Sequence, residues 1–170
     1  MTWLILVVVL AALLATWVTW TAARVDRLHI RVDAARAALD AQLVRRAAAA
    51  QALVDRHPDL LGAEPARRLG TAARAALDAE NAVRESAEND LSRALQALPS
   101  ELDPALLRDL TDASTRVVLA RRFYNDAVRD TRALRGRWVP RVFRLAGRRP
   151  MPTFFEIDEV TPTSPRAAPG

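Results

Sequence analysis

The stretch WLILVVVLAALLATWVTWTAA, residues 3–23, decides the fold, because it runs for 21 positions without a charged side chain. A helix rises about 1.5 Å per residue, so this stretch reaches roughly 30 Å, the thickness of one hydrocarbon core. Arg24, Arg27 and Arg31 follow it at once. The sequence therefore predicts a transmembrane helix over residues 3–23, with the lipid bilayer as its partner.

Tryptophans lie near both ends of this stretch. Trp3 marks one edge and Trp17 and Trp20 approach the other, as expected of aromatic anchors at the membrane interfaces. A cleaved signal peptide is the alternative, although it would have a shorter apolar core and a basic region before it. Residues 21–23, Thr-Ala-Ala, are an acceptable cleavage site. The alternative therefore stays open.

The charges around the span predict its orientation. Arginines follow its C-terminal end, whereas only the α-amino group lies on the other side. Because cytoplasmic flanks carry the excess of positive residues, we expect a single-pass protein of the cell membrane. Its N-terminus would lie outside and residues 24–170 in the cytoplasm.

The composition narrows the fold and the function. All 25 basic residues are arginine, alanine is abundant and aromatic residues make up only 5%, which favours long helices over sheets. The lack of cysteine excludes disulfides, thiolate metal sites and a cysteine nucleophile. The net charge is +5, acidic residues alternate with arginines, and no aromatic–basic motif occurs. We therefore expect no nucleic-acid partner.

Turn signals divide the chain after the span. Breaks are expected at residues 57–62, at residues 99–104 and after Gly136. Asp103 is a good N-cap, and Pro104 suits the first position of a helix.

Between the breaks, apolar residues and alanines recur at intervals of three and four. The pattern predicts an all-α fold, in which a single N-terminal transmembrane helix precedes an antiparallel up-down helical bundle over residues 24–146. Gly70 is a candidate kink or break in the second helix. The three long helices are expected over residues 24–56, 64–98 and 104–136.

The C-terminal part differs in composition. A short helix is expected over residues 138–146, and a Pro-rich tail, mostly disordered, over residues 147–170. Phe154 and Phe155 are the exception in the tail. They either dock back onto the bundle, which we favour, or bind a partner.

Several polar side chains occupy core-like positions at mid-height of the predicted bundle. When each helix is reflected through its loop, Gln42 and Glu80 fall at the level of residues 121–125. We expect a buried polar layer that fixes the helix register, and a ligand or partner site is the alternative. Its members are Gln42, Arg45, Arg46, Glu80, Tyr124 and Asn125.

Three motifs are similar to those of a known family. LDAQLVRR (39–46) looks like a first-helix motif, ENDLSRAL (88–95) like a second-helix stretch, and ARRFYNDAV (120–128) matches Ala-Arg-x-x-Tyr-Asn-x-x-Val. With them, the chain resembles a divergent member of the LemA family of bacterial membrane proteins. It departs from the family at residues 50–54, where the family has Ile-Pro-Asn-Leu-Val. The resemblance implies an antiparallel bundle on a single span, with no established enzymatic activity.

The sequence contains no pattern typical of an active site. The two histidines, His29 and His57, are far apart in the predicted fold, and neither has a metal-ligand companion three or four positions away. A serine elbow and a phosphate-binding glycine loop are also lacking. We therefore expect no enzymatic activity, metal or cofactor.

The predicted function is that of a membrane-anchored scaffold or interaction protein, with an unidentified membrane or cytoplasmic protein partner; an oligomer is compatible with the sequence. Arginines accumulate at the end of the third helix, which the up-down-up count places far from the membrane. This end is either a partner surface or a solvated tip. The alternative function is the sensing of anionic lipid or the envelope surface by the basic C-terminal segment. The candidate surface comprises Arg135, Arg137, Arg141, Arg144, Phe154 and Phe155.

Overall fold

The computed structural model describes residues 1–136 and 149–157, and these are almost entirely helical. No strand occurs within these two ranges, so the expected all-α class is confirmed. The predicted helix over residues 138–146 lies outside the described residues. The elements are α1 (Thr2–Arg56), α2 (Pro58–Leu61), α3 (Ala63–Asp78), α4 (Arg84–Gln96) and α5 (Pro104–Arg135).

The helix α1 is continuous over 55 residues, so the predicted span and the first predicted bundle helix are one element. Within the described residues, α1 is the one helix long and apolar enough to cross a membrane. Its large apolar side chains between Trp3 and Trp20 are exposed, except for the half-buried Val18. The hydroxyls of Thr16 and Thr19 donate to the carbonyls four residues earlier, which satisfies them without water.

The first expected break is confirmed. α1 ends at Arg56, and Pro58 begins the short helix α2, where its missing N–H costs no helical hydrogen bond. Gly62 separates α2 from α3 with a φ of +81°, a left-handed conformation that glycine adopts without strain.

The predicted second helix is interrupted, but not at Gly70. Gly70 lies buried inside α3, and the helix ends only at Asp78. Residues 79–83 form a turn before α4 begins, and Arg84 donates from Nη1 to the carbonyl of Ala76 at 3.1 Å. The turn contains Asn81, a residue type that competes with helical hydrogen bonds, and this explains a break here better than one glycine does.

The ends of α5 agree with the sequence analysis. The Asp103 side chain accepts a hydrogen bond from the backbone N–H of Ala105 at 2.8 Å, which is the geometry of an N-cap. At the other end α5 stops at Arg135, and the N–H of Gly136 donates to the carbonyl of Arg132.

The chain divides into two compact units. The anchor unit comprises Met1–Arg36 and Tyr124–Phe154, and the core unit comprises Ala37–Phe123 and Phe155–Gly170. The core unit holds a buried cluster in which alanines alternate with larger side chains from all five helices. Small alanines let helices approach closely, and each buried leucine removes more apolar area from water than an alanine does. The cluster consists of Ala47, Ala50, Leu53, Leu61, Ala66, Leu69, Ala73, Ala76, Ala87, Leu91 and Leu110.

Candidate functional site

A buried ion pair lies in the core unit. Nη2 of Arg46 on α1 is 2.5 Å from Oε2 of Glu88 on α4, and the two side chains are 4% and 0% exposed. Arg46 also donates to Oγ of Ser92 at 3.4 Å, and this hydroxyl donates in turn to the Glu88 carbonyl at 2.8 Å. The three side chains therefore form one polar group inside an alanine and leucine core.

Burial determines the electrostatics of this pair. Removal from water raises the pKa of Glu88, and the opposing attraction of Arg46 offsets only part of that effect. Within the described residues, Oε1 of Glu88 and Nε of Arg46 have no hydrogen-bond partner. A carboxylate with no exposed surface cannot meet a ligand, so the arrangement suits structural specificity better than chemistry.

The polar layer predicted from the sequence is only partly correct. Arg46 is buried as expected, but Glu80 is exposed in the turn between α3 and α4, and Arg45 is also exposed. The reflection of helix heights assumed one continuous helix over residues 64–98, and the interruption invalidates it. The carboxylate that reaches Arg46 is Glu88, whose spacing from Leu91 would have marked it as a core position.

Gln42 and Asn125, the other polar members, are half-buried. The side-chain oxygen of Gln42 is buried and lacks a hydrogen-bond partner among the described residues. Gln42 belongs to the core unit, and Asn125 belongs to the anchor unit.

Tyr124 holds the C-terminal segment in the anchor unit. Its ring is 5% exposed, and its hydroxyl donates to the carbonyl of Thr153 at 2.8 Å. Arg132 donates to the carbonyl of Pro152 at 3.3 Å and lies over the ring of Phe154, 5.4 Å from its centroid. The sequence predicts disorder from residue 147, but residues 149–154 are held by side chains of α5, because arginine and tyrosine donors satisfy their carbonyls.

Residues 155–157 continue this segment in the core unit. Phe155 is 1% exposed and Ile157 is 9% exposed. Arg121 donates to the carbonyl of Ile157 at 3.1 Å, and the N–H of Glu156 donates to Glu85 at 3.2 Å. The favoured expectation that Phe155 docks back onto the helices is therefore confirmed, and the alternative of a partner surface is wrong at this residue, since the side chain has almost no exposed surface. Residues 158–170 lie outside the described residues.

An open cavity of about 730 Å³ adjoins this segment in the core unit. Its walls are polar, and they combine side chains of α4 and α5 with the C-terminal segment. The lining residues are Glu85, Ser86, Asn89, Arg93, Arg121, Glu156 and Ile157.

Arg135 has a different environment from the one expected. Nη1 of Arg135 lies 3.3 Å from Nε2 of His29, and the guanidinium also donates to the carbonyls of Pro150 and Arg149. His29 is buried and follows Ala23 by six positions, about 9 Å along α1. The end of α5 therefore lies beside the first turns after the apolar run.

The expectation that this arginine-rich end is far from the span is thus wrong, because it assumed an unbroken second helix. Arg135 itself is half-buried and engaged within the chain, so it is not a free partner surface. The other predicted surface arginines, Arg137, Arg141 and Arg144, lie outside the described residues.

The geometry of His29 fixes its tautomer. Nδ1 lies 3.0 Å from the carbonyl of Val25, which can only accept, so Nδ1 donates. Arg135 can only donate, so Nε2 accepts from it. The sequence pattern indicated only that His29 lacks a metal-ligand companion, and it could not reveal this contact, whose two residues are 106 positions apart.

Residues 1–136 and 149–157 contain no cluster of three or more His, Cys, Asp or Glu side chains that could hold a metal ion. No protein-family model, curated protein or solved structure matches this chain.

Proposed function

We propose that this protein is a single-pass membrane protein whose helical domain acts by contact with other molecules and not by catalysis. The observation that carries the proposal is the continuity of α1. Its first part exposes an apolar surface long enough to cross a bilayer, and its last part, including Leu53, is buried in the core unit.

The proposed arrangement of the helices is an antiparallel bundle. In the anchor unit, Arg31 pairs with Asp130 at 3.4 Å and His29 meets Arg135, so residue numbers fall along α1 as they rise along α5. In the core unit, the side chains of Gln51 and Arg74 are 3.4 Å apart. A Cβ on Gly70 would meet Val54. Residue numbers therefore also fall along α1 as they rise along α3, which makes these two helices antiparallel as well.

The contact surface that we propose for a protein partner lies on α5 in the core unit. Leu119 and Phe123 are one helical turn apart and are 48% and 67% exposed. A large exposed aromatic side chain beside a second apolar one is typical of an interaction site. The motif resemblance to the LemA family, whose members have no established enzymatic activity, supports the same proposal.

The proposed orientation places the N-terminus outside and the domain in the cytoplasm. Full-length chains would be fused at residue 170 to alkaline phosphatase, which is active outside the cytoplasm, or to a fluorescent protein that folds inside it. We expect fluorescence without phosphatase activity, and a fraction that resists carbonate extraction. Phosphatase activity would contradict the orientation, and a soluble chain cleaved after Ala23 would contradict the anchor.

Contact through α5 is tested by proximity labelling from the same C-terminus. The double variant Leu119→Gln/Phe123→Gln should lose specific neighbours that the wild type labels. A matched control, Val83→Gln, alters a side chain that is also exposed, at 56%, but lies in the turn before α4. Equal labelling by the double variant and the wild type would contradict the proposed surface.

The second candidate function is contact with anionic lipid. It is favoured by the position of Arg135 beside His29, since this brings the start of the basic C-terminal segment to the membrane side of the anchor unit. A lipid function and a protein partner can coexist, because they use different units.

A further inference from the structure

We propose that the anchor unit binds the headgroups of anionic phospholipids through arginines from three parts of the chain. This inference rests on the proposed membrane insertion of α1. Three of these arginines follow the apolar run, one ends α5, and one begins the described C-terminal segment. Together they are called the arginine collar: Arg24, Arg27, Arg31, Arg135 and Arg149.

The distances along α1 place its arginines at headgroup depth. If the hydrocarbon ends at Ala23, Arg24 and Arg27 lie about 1.5 and 6 Å beyond it, and Arg31 about 12 Å. The polar layer of a bilayer is roughly 5–7 Å thick on each side, so the first two arginines fall within it. The long side chain of Arg31 can reach back toward it.

Trp20 supports the same depth. The guanidinium of Arg24 lies over the Trp20 ring, 5.8 Å from its centroid, and this ring is 57% exposed. An exposed tryptophan ring with a guanidinium over its face suits the boundary between hydrocarbon and headgroups, where the ring can contact acyl chains and the cation can contact headgroups.

Arg135 brings the C-terminal segment to this level. Its guanidinium donates to the carbonyl of Pro150 at 2.8 Å and to that of Arg149 at 3.0 Å while it contacts His29. Arg149 therefore lies near the second turn after the apolar run, and its side chain is exposed. Arg135 is a positioning residue in this site.

The charges of the collar, other than that of the positioning residue Arg135, are open to a ligand. Within the described residues, the side chains of Arg24, Arg27 and Arg149 form no ion pair, and Asp26 is the one acid between residues 24 and 31. Arg31 pairs with Asp130, but more than half of each side chain is exposed, so this pair is weak and can exchange partners. Guanidinium groups bind phosphate oxygens in pairs, and this matches a phospholipid headgroup.

The test uses the full chain in neutral detergent and native mass spectrometry. It is titrated with phosphatidylglycerol or with phosphatidylcholine of the same acyl chains. Each basic residue near an anionic surface favours binding by about fivefold, so wild type should retain phosphatidylglycerol at least about fivefold better. The triple variant Arg24→Gln/Arg27→Gln/Arg149→Gln, which keeps Arg31, should lower this ratio at least about fivefold.

A charge-matched control separates the collar from net charge. The variant Arg45→Gln/Arg108→Gln/Arg116→Gln removes three exposed arginines of the core unit and should keep the wild-type ratio. Equal retention of both lipids by wild type would overturn the proposal, and so would an equal loss in the control variant.

Glycerol phosphate distinguishes a lipid from a free phosphate ester. It carries a phosphate charge without acyl chains, and at equal concentration it should not displace phosphatidylglycerol. Displacement would assign the arginines to soluble phosphate esters and overturn the lipid assignment. Failure of membrane insertion itself would appear as carbonate extraction of the chain, a result separate from the lipid ratio.

Discussion

Arg46 and Glu88 form an ion pair with an N–O distance of 2.5 Å, and neither side chain is more than 4% exposed. Removal of one partner would leave the other charge buried and uncompensated, and this costs far more than the pair contributes relative to apolar residues of the same size. The pair therefore stabilises one alignment of α1 and α4 over alignments in which either helix is shifted along the other.

We predict that Glu88→Ala lowers the free energy of unfolding by about 3–5 kcal/mol, because it leaves the Arg46 guanidinium buried alone. The double variant Arg46→Met/Glu88→Leu should recover most of this loss. Denaturant unfolding of the full chain in detergent, followed by circular dichroism, measures both. Arg67→Met is the control, because its pair with Glu64 is exposed to solvent and should contribute little to the free energy of unfolding. An equal loss in the control would contradict the role of burial.

The pH dependence of stability follows from the raised pKa of Glu88. In the window between its unfolded and its folded pKa, the unfolded state binds fewer protons than the folded state, so stability falls as pH rises. Wild type should therefore lose stability relative to Glu88→Gln as pH rises from about 4. Thermal melts of both chains between pH 4 and pH 7 measure the difference. A wild-type advantage that grows with pH would mean that Arg46 lowers the pKa more than burial raises it.

Replacement of the adjacent residues Phe154 and Phe155 by alanine should lower the stability by very different amounts. Phe155→Ala removes a side chain that is 1% exposed and should cost about 3–5 kcal/mol, or detach the C-terminal segment. Phe154→Ala removes a ring that is 37% exposed, and it should cost about 1 kcal/mol or less through loss of the contact with Arg132. Unfolding and hydrogen exchange at Glu156 measure the two effects. Similar results for the two variants would argue against docking.

Substitution by alanine should change the stability of the protein in opposite directions at Gly70 and at Gly62. Gly70→Ala should stabilise the protein by about 0.5–1 kcal/mol, since the new Cβ would meet Val54 and Arg74 at an ordinary 3.5 Å inside a helix. Gly62→Ala should destabilise it by about 1 kcal/mol or more, because φ is +81° there. The two melting temperatures are compared with wild type. A destabilising Gly70→Ala would mean that α1 and α3 approach more closely than this distance indicates.

The sequence predicted the features whose causes are local. The apolar run, the N-cap at Asp103, the end of α5 before Gly136 and the break before Gly62 each depend on a few neighbouring residues. The position of Gly70 was misleading, because glycine permits a break without requiring one. The interruption at residues 79–83 was missed, since Ala76, Glu80, Val83 and Ala87 keep the helical spacing across it.

The sequence by itself determined a long apolar helix, the helical fold of the described residues and most of the turns between their helices, because hydrophobic spacing and capping act within a few residues. Only the tertiary structure decided that Arg46 pairs with Glu88 and that Arg135 lies beside His29. The two residues of the first pair are 42 positions apart in the sequence, and those of the second pair are 106 positions apart. A break of five residues in a helix shifts every later alignment, so partners at such separations depend on how all the intervening helices pack.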